Sequence, residues 1–402
     1  MLVSTATPAS GLTGDLAAWA RGFTPDETDL ELAQRALLDT ISVAVAARHE
    51  PVTQVAASLP EGAHWAAASH ALDYDDLHLP STAHISAICV SATLAAGGGA
   101  EAYLAGAGVM ARLGGLLGWS HYQRGWHATC TSGSPAAAVS AGIAMALGER
   151  ELATALALAV PSAGGVQRAF GTMAKPLQVG FAAAAGVQAA RLAAAGATAD
   201  SAALRDWMLL VGGNPEGAVP AAPAVPGGLA IKVYPCCYAL QRPIAALASL
   251  AVDPQMVARI RCLTPAAALQ PLIHHRPRTG LEGKFSLEYG LAAALLDRPV
   301  GFASFTDSAV QRPEAIELAE RVKVEAQPGA TGLLDGAFEV EVTLSDGSRH
   351  GTRLAAPPGA PGRPPSVREI RSKIEDCCGS LSEEVLRLDW QLAPEFLRRV
   401  LV

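Results

Sequence analysis

The chain has 402 residues, of which half are hydrophobic and only 17% are charged, with a formal net charge of -7. This length is enough for two domains with substantial cores, and mild acidity without a basic stripe argues against nucleic-acid binding. The low charged fraction favours either an obligate oligomer or a membrane protein. The longest uncharged run, residues 128–148, is rich in Ser, Thr, Gly and Ala. Such a run inserts weakly into a bilayer, so we predict a buried helix–helix contact and no membrane association.

The N-terminus and the cysteines bear on the cellular compartment. Residues 1–12 show no basic segment followed by an apolar stretch, so no signal peptide is predicted. The seven cysteines are odd in number and lack the spacings of a zinc site or a disulfide framework. We therefore expect reduced thiols, no metal and a cytoplasmic protein.

The first half of the chain is predicted to be helical. A helix is expected to start with Thr24 as the capping residue and Pro25 at its first position, and to run to Ala47, with Pro51 ending that region. From residue 63 to residue 209 the periodicity is helical and strand-like alternation is absent. Polar turns are predicted at residues 75–81, 120–133, 164–171 and 196–200.

The second half differs in composition and in its pattern of apolar residues. A Pro-, Ala- and Gly-rich passage at residues 212–228 is typical of a linker, and Asp346-Gly347 is a strong hairpin turn. A second linker at residues 357–365 leads into a capping box that opens a C-terminal helix. Strands are predicted at residues 257–263, 321–326 and 338–344, and helices at residues 243–250 and 285–296.

These segments predict a mainly α protein built from two domains. The larger is all-helical and discontinuous in sequence, formed by residues 1–224 plus 355–402. The smaller is an inserted α/β lid domain at residues 225–354. We expect the C-terminal helices to pack back onto the N-terminal ones.

One segment, residues 70–84, concentrates ionisable side chains in an otherwise apolar chain. Away from water, charges this close shift each other's pKa, which suits proton transfer, whereas a solvated acidic loop is the simpler interpretation of this segment taken alone. Its ionisable side chains are His70, Asp73, Asp75, Asp76, His78 and His84.

Further polar clusters follow along the chain. His127 directly precedes a helix of small residues, where the positive helix end favours a neutral imidazole that can act as a base; a capping histidine is the alternative. Lys175 and Arg168 stand among glycines, which favours binding of an anion or carboxylate over surface solvation.

Two clusters lie after the first linker. Lys232, followed by Tyr-Pro-Cys and Cys237, is a candidate wall of a site, although buried structural thiols are commoner. Tyr289 is a candidate proton donor or carboxylate anchor, and the alternative is a helix tyrosine with a solvated hydroxyl.

Together these clusters resemble the MmgE/PrpD family over almost the whole chain. Three matching elements lie in the first half: H-x-L-D-[FY]-D-D with a following His at residues 70–84, Gly-aromatic-His-x-Thr at residues 125–129, and Gly with a later Lys-x-Leu at residues 171–177. Two lie in the second half: Lys-x-Tyr-Pro-x-Cys at residues 232–237 and Lys-Phe-Ser-x-x-Tyr at residues 284–289. Members include 2-methylcitrate dehydratase, cis-aconitate decarboxylase and iminodisuccinate epimerase. The resemblance implies a discontinuous helical domain with a smaller α/β lid, a homodimer, and no metal or organic cofactor.

The resemblance also implies the site positions, which are Asp73, His84, His127, Lys175, Lys232 and Tyr289. Two neighbouring positions depart from the decarboxylase pattern: Leu77 stands where that pattern has Thr, and Cys237 where it has His. A histidine common in many members is Gln241 here. We therefore expect a substrate other than that of the best-known members.

The predicted function is a cofactor-independent lyase, foremost a dehydratase acting on a small polycarboxylate or carboxylated hydroxy acid. Lys175 and Lys232, assisted by Arg168, would hold carboxylates and spread the enolate-like charge that forms when a neighbouring proton is removed. His127 or His84 would move the proton, because imidazole suits neutral pH.

The remaining site residues have supporting roles in this prediction. Asp73 would orient a histidine or form the other half of an acid–base pair. Tyr289 would anchor or protonate the leaving group. Leu77 and Cys237 would contact the substrate.

Three alternatives stay open. Decarboxylation or epimerisation in the same site is the nearest, although Leu77 and Cys237 disfavour cis-aconitate itself. A non-catalytic homologue that keeps the fold is another. A metal-dependent hydrolase would use oxygen and imidazole ligands from Asp73, Asp75, Asp76, His78 and His84.

Overall fold

A computed structural model describes residues 11–328 and 335–401. Residues 1–10, on which most of the signal-peptide prediction rests, lie outside these ranges, as do residues 329–334 of the predicted lid and residue 402. Within the described ranges the chain is mostly helical with one small mixed sheet. None of the helices found there is long and apolar enough to cross a bilayer.

The helices are α1 (Leu12–Gly22), α2 (Glu27–Ala46), α3 (Pro51–Ala56), α4 (Glu61–Ala71), α5 (Ile85–Ala95), α6 (Ala100–Gln123), α7 (Ala128–Ala144), α8 (Glu149–Ala159), α9 (Ala174–Ala194), α10 (Ala203–Leu210), α11 (Tyr238–Ala248), α12 (Ala266–Leu269), α13 (Gly280–Gly283), α14 (Leu287–Leu296), α15 (Asp307–Val310), α16 (Pro313–Glu320), α17 (Val367–Cys378), α18 (Ser382–Val385) and α19 (Ala393–Val400). The strands are β1 (Val257–Pro265), β2 (Val322–Gln327), β3 (Phe338–Leu344) and β4 (Arg349–Leu354).

The sheet has the strand order β2-β1-β3-β4. β1 is parallel to β2 and antiparallel to β3, and β3 is antiparallel to β4. Along β3 the side chains of Phe338, Val340 and Val342 are buried, which is the period-two pattern of a strand with one face on a core. α11 packs on that side of the sheet and against α14.

Two clusters of buried apolar side chains organise the molecule. The larger joins α1 to α10 with the C-terminal helices, and α17 packs against α2. The smaller surrounds β1, β3, α11 and α14, and includes two side chains from the first half of the chain, Leu77 and Phe170. These two side chains mark where the helical part meets the sheet.

Several local predictions are confirmed. The uncharged run at residues 128–148 contains α7, which is buried against α6 and α9. The strand predicted at residues 338–344 is β3. The capping box is present in full, because Ser366 Oγ accepts from the Glu369 amide while Glu369 accepts from the Ser366 amide.

Other boundaries were wrong for identifiable reasons. The cap of α2 is Asp26, not Thr24, because the Asp26 side chain accepts from the Asp29 amide in a reciprocal pair. Pro51 begins α3 rather than ending a helical region, since proline is well suited to a first helical position. α11 starts at Tyr238, five residues before its prediction, with Pro243 inside it.

Candidate active site

The ionisable segment connects α4 to α5 and lies in the interior. Its residues are buried except at Leu79 and Pro80, which rules out the solvated-loop interpretation. Backbone pairing of Leu77 with Ala230 ties it to the first residues of the second half. Asp73 has a φ of 53°, the left-handed region that costs a non-glycine residue conformational energy. The surrounding structure therefore holds Asp73 in a conformation the chain would not adopt alone.

Asp73 is held by two buried lysines. Lys175 Nζ and Lys232 Nζ each lie 2.9 Å from the same oxygen, Asp73 Oδ1, and Lys232 also donates to the Asp73 main-chain carbonyl at 2.7 Å. Burial alone would raise the pKa of Asp73, but the two ammonium groups outweigh burial and hold that pKa well below the ordinary carboxyl value. One carboxylate thus faces two cations, which leaves the trio with a net positive charge.

A second buried carboxylate, Asp75, is shared by two imidazoles. His70 Nδ1 lies 2.7 Å from Asp75 Oδ2, and His84 Nδ1 lies 3.2 Å from the same oxygen in a more bent contact. On its other side, His70 Nε2 accepts from Lys175 Nζ at 2.7 Å. Burial lowers the pKa of His70 to about 3 and also lowers that of His84, with Asp75 opposing burial in both cases. Both imidazoles are therefore neutral at pH 7.

His127 forms the opposite side of the site. It is the N-cap residue of α7, and its Nδ1 lies 2.6 Å from Gln178 Nε2 and 3.3 Å from Cys130 Sγ. Its ring contacts Phe170 edge-on, with 5.1 Å between centroids, and lies 5.7 Å from the ring of His70. Burial lowers the pKa of His127 well below 6.5, and Lys175 lowers it further. This imidazole is also neutral.

These groups meet at one small cavity of about 20 Å³, which is room for about one water molecule. A small acid therefore enters only if the walls move apart. Lys232 lies behind Asp73 rather than on the wall. The lining residues are Asp73, Leu77, Thr82, His84, Tyr122, His127, Phe170, Lys175, Cys237, Tyr238, Pro271 and Phe285.

Comparison with known proteins identifies the family of this chain. The family model of the MmgE/PrpD N-terminal domain matches residues 60–210, and that of the MmgE/PrpD C-terminal domain matches residues 234–392. The chain belongs to the MmgE/PrpD family. The family prediction made from the ordered motifs is thereby confirmed.

Curated relatives of this MmgE/PrpD chain carry one activity in their names. Cis-aconitate decarboxylase of Aspergillus terreus is 27% identical over 445 aligned positions, covering 93% of this chain and 91% of that protein. Cis-aconitate decarboxylase of Mus musculus is 27% identical over 274 positions, covering 62% of this chain and 54% of that protein.

Besides Lys232, two residues predicted for the MmgE/PrpD site do not line the cavity. The hydroxyl of Tyr289 donates to the Ser304 carbonyl, and its ring packs against Phe305 with 6.0 Å between centroids. Arg168 is exposed in a short 3₁₀ turn, whereas Phe170 next to that turn points inward. Neither side chain lines the cavity, and the catalytic role predicted for Tyr289 and the binding role predicted for Arg168 stay predictions.

The other predicted positions do come together, with partners that the sequence analysis had not placed in the site. His70 was visible in the first motif but had no role, and it now links Lys175 to Asp75. Gln178 was missed, although its i, i+3 spacing from Lys175 on α9 puts both on one helix face. Lys284, in the last motif, donates to the Leu72 carbonyl, and burial lowers its pKa to about 8.

The metal-hydrolase alternative loses three of its five ligands, and one of the three is Asp73, whose carboxylate is held by Lys175 and Lys232. Asp76 accepts from the Ser86 side chain and amide, and His78 bridges Ser81 and the Pro226 carbonyl. In the part of the chain that the structure describes, one set of donor atoms lies close enough for a metal, that of His70, Asp75 and His84. Both nitrogens of His70 already have partners, and one partner is an ammonium group that would repel a cation. This set fits a metal poorly.

Proposed function

We propose that this protein is a lyase that acts on a small polycarboxylate by moving a proton beside a carboxyl group, without a metal or organic cofactor. The observation that carries the proposal is the pair of buried lysines on Asp73, placed beside neutral imidazoles at one small cavity. Each part supplies one requirement of carbon-acid chemistry.

The lysines supply the positive charge. Removing a proton beside a carboxylate builds negative charge on its oxygens, and preorganised cations in a dry site stabilise that charge strongly. Lys175 lies on the cavity wall. Lys232 does not line the cavity but binds the same Asp73 oxygen as Lys175. A bound substrate carboxylate would share Lys175 with Asp73, since the trio has one cation in excess.

The imidazoles supply the base. A general base must be unprotonated at working pH, and burial keeps the pKa values of His84 and His127 below 6.5. Both rings line the cavity. His70 has partners on both nitrogens, so it serves to hold Lys175 rather than to contact substrate.

The proposal includes the predicted architecture, a discontinuous helical domain with an inserted α/β lid at residues 225–354. The two separate buried cores support it, as does the mixed wall of the cavity, where Cys237 and Phe285 face Asp73 and Lys175. Because the cavity is too small for an acid, we propose that the lid moves to admit substrate. A homodimer and a cytoplasmic location stay predictions.

Dehydration of a hydroxy acid is the reaction we place first, and decarboxylation is the second candidate. The relatives named cis-aconitate decarboxylase support the second. The apolar side chain of Leu77 and the thiol of Cys237, which stand where the decarboxylase pattern has polar groups, support a different substrate.

The experiment is product analysis with a panel of citrate-like, malate-like and aconitate-like acids in the presence of a chelator. The wild-type protein should convert at least one acid with loss of water or of carbon dioxide, and His84→Ala should slow this by about 10²–10⁴-fold. The matched control is His275→Ala, because His275 is exposed and does not line the cavity. Full activity in the combined His84→Ala/His127→Ala variant would contradict the proposal.

A further inference from the structure

The side-chain amide of Gln178 has a fixed orientation. The Val166 amide donates to Gln178 Oε1 at 3.1 Å, and Gln178 Nε2 donates to the Val166 carbonyl at 3.3 Å. Exchanging the oxygen and nitrogen of this side chain would set two donors against each other and two acceptors against each other. The group that faces His127 is therefore the NH₂ group.

This orientation determines where His127 carries its proton. Gln178 Nε2 lies 2.6 Å from His127 Nδ1, and an NH₂ group can only donate, so Nδ1 accepts. Cys130 Sγ lies farther from the same nitrogen, at 3.3 Å. A neutral imidazole with an accepting Nδ1 has its proton on Nε2. Within the described ranges no residue hydrogen-bonds to His127 Nε2.

The backbone that orients Gln178 is itself held to His127. The His127 amide donates to the Gly165 carbonyl at 3.0 Å, and Trp126 pairs with Val166. Gly165 has a φ of 117°, and a Cβ there would lie 2.7 Å from Cys130 Cβ. Glycine at this position thus lets one short segment reach both α7 and α9, which fixes the distance from Gln178 to His127.

His84 has the opposite arrangement. Its Nδ1 lies 3.2 Å from Asp75 Oδ2 without the geometry of a hydrogen bond, and the negative charge of that carboxylate favours a proton on Nδ1. Its Nε2 is left without a proton and lies 3.8 Å from Asp73 Oδ1, at the cavity. The two imidazoles on the cavity wall therefore present different groups to a substrate.

We propose that Gln178 is a positioning residue that holds His127 as the Nε2–H tautomer, so that His127 donates a hydrogen bond to the substrate while His84 is the base. This division of roles rests on the proposed function. His84 Nε2 takes the carbon-bound proton, and the electron pair moves into the carboxylate as an enolate-like system. The His127 proton stays on Nε2 and stabilises the oxygen that gains charge, a role that suits neutral imidazole.

The electron pair then returns and breaks the carbon–oxygen bond of the hydroxyl group. The departing oxygen takes the proton from the His84 imidazolium and leaves as water. The products are an unsaturated acid and one water molecule. His84 is neutral again, and His127 has not changed its protonation.

The test is a two-bond ¹H–¹⁵N correlation spectrum of the full chain labelled with ¹⁵N-histidine at pH 7, without substrate. The signals are assigned by their loss in His127→Gln and His84→Gln. We expect His127 to carry its proton on Nε2 and His84 on Nδ1. A proton on Nδ1 of His127 in the wild-type protein would overturn the proposal without any knowledge of the substrate.

The variant Gln178→Glu adds a kinetic readout. Its carboxylate accepts, so the His127 proton should move to Nδ1, and kcat should fall about 10²–10⁴-fold with KM changed much less. The matched control is Gln188→Glu, the same change on the exposed face of α9. If the His127 proton moves to Nδ1 in Gln178→Glu and kcat is unchanged, the proposed role of the His127 Nε2–H group in catalysis is refuted. The predicted tautomers in a protein that converts no acid would count against the proposed function alone.

Discussion

Two buried ion-pair regions of this molecule differ in the number of cations per carboxylate. At the cavity, Asp73 faces Lys175 and Lys232, whereas between α2 and α17 Asp39 faces Lys373 alone at 2.7 Å. Burial is the largest single influence on both carboxyl groups, and taken alone it would raise the pKa of each. Two lysines reverse that effect for Asp73, and the single lysine does not reverse it for Asp39, whose pKa stays raised.

The difference separates a structural pair from a reactive one. Lys373 also donates to the Tyr74 carbonyl and lies 4.0 Å over the Tyr74 ring, so its bonds join the C-terminal helix to the segment that carries Asp73. It has no place on the cavity wall. Buried charge alone therefore does not identify an active site. The proposed active site is argued instead from two lysines on one carboxylate and two imidazoles that line the same cavity.

The largest effect is expected from Lys373→Met. Removing one partner leaves the Asp39 carboxyl group buried without its cation, which costs about 3–5 kcal/mol of unfolding free energy. Urea unfolding measures this, and turnover of the folded fraction should change less than tenfold. The double variant Asp39→Asn/Lys373→Met should recover part of the loss. A fully stable Lys373→Met protein would show that the pair is not structural.

The next effect concerns the other region. Lys175→Met removes the cation on the cavity wall, and turnover should fall about 10²–10³-fold because the charge that develops on the substrate loses its stabilisation. Thermal unfolding should change less than in Lys373→Met, since Lys232 still neutralises Asp73. Lys323→Met, at an exposed lysine on β2, is the control. If Lys175→Met loses stability and keeps its turnover, the two regions do not differ as described.

A smaller effect follows from pH. The pKa of His70 is lowered to about 3 from 6.5 by burial, so the unfolded chain binds its proton first. The stability due to neutral His70 is present above pH 6.5 and is lost as pH falls toward 3. At pH 5 the loss from this group alone is about 2 kcal/mol. Urea unfolding at pH 7 and pH 5 tests this, with exposed His275→Asn as a control that should keep the same difference. Equal stability at both pH values would contradict a neutral buried imidazole.

The sequence predicted which residues meet at the cavity better than how they are arranged there. Five predicted residues line the cavity, and each could be predicted because it stands in a family motif. They are Asp73, His84, His127, Lys175 and Cys237. Lys232 also reaches Asp73, but from behind the wall. None of this required knowledge of which helix faces which.

Tyr289 and Gln178 show what sequence could not supply. A motif places a residue on an element but does not say which way its side chain turns, and Tyr289 on α14 turns toward Ser304. Gln178 has an ordinary amide side chain in an Ala-rich helix, and it gains meaning only because Val166 and His127 pack beside it. Packing between residues far apart in sequence cannot be inferred from the local sequence pattern. Local patterns were enough to predict helix periodicity and the alternation of buried residues in β3.

The most direct measurement of the central claim is proton NMR in deuterated buffer with wild-type protein and the same panel of acids. We expect one acid to give an alkene product that has lost the proton beside its carboxyl group, deuterium at that carbon in acid re-formed from the alkene, and loss of both signals in His84→Ala. Turnover in which the carbon beside the carboxyl group keeps its original proton in the product and gains no deuterium would contradict the claim that this site moves a carbon-bound proton.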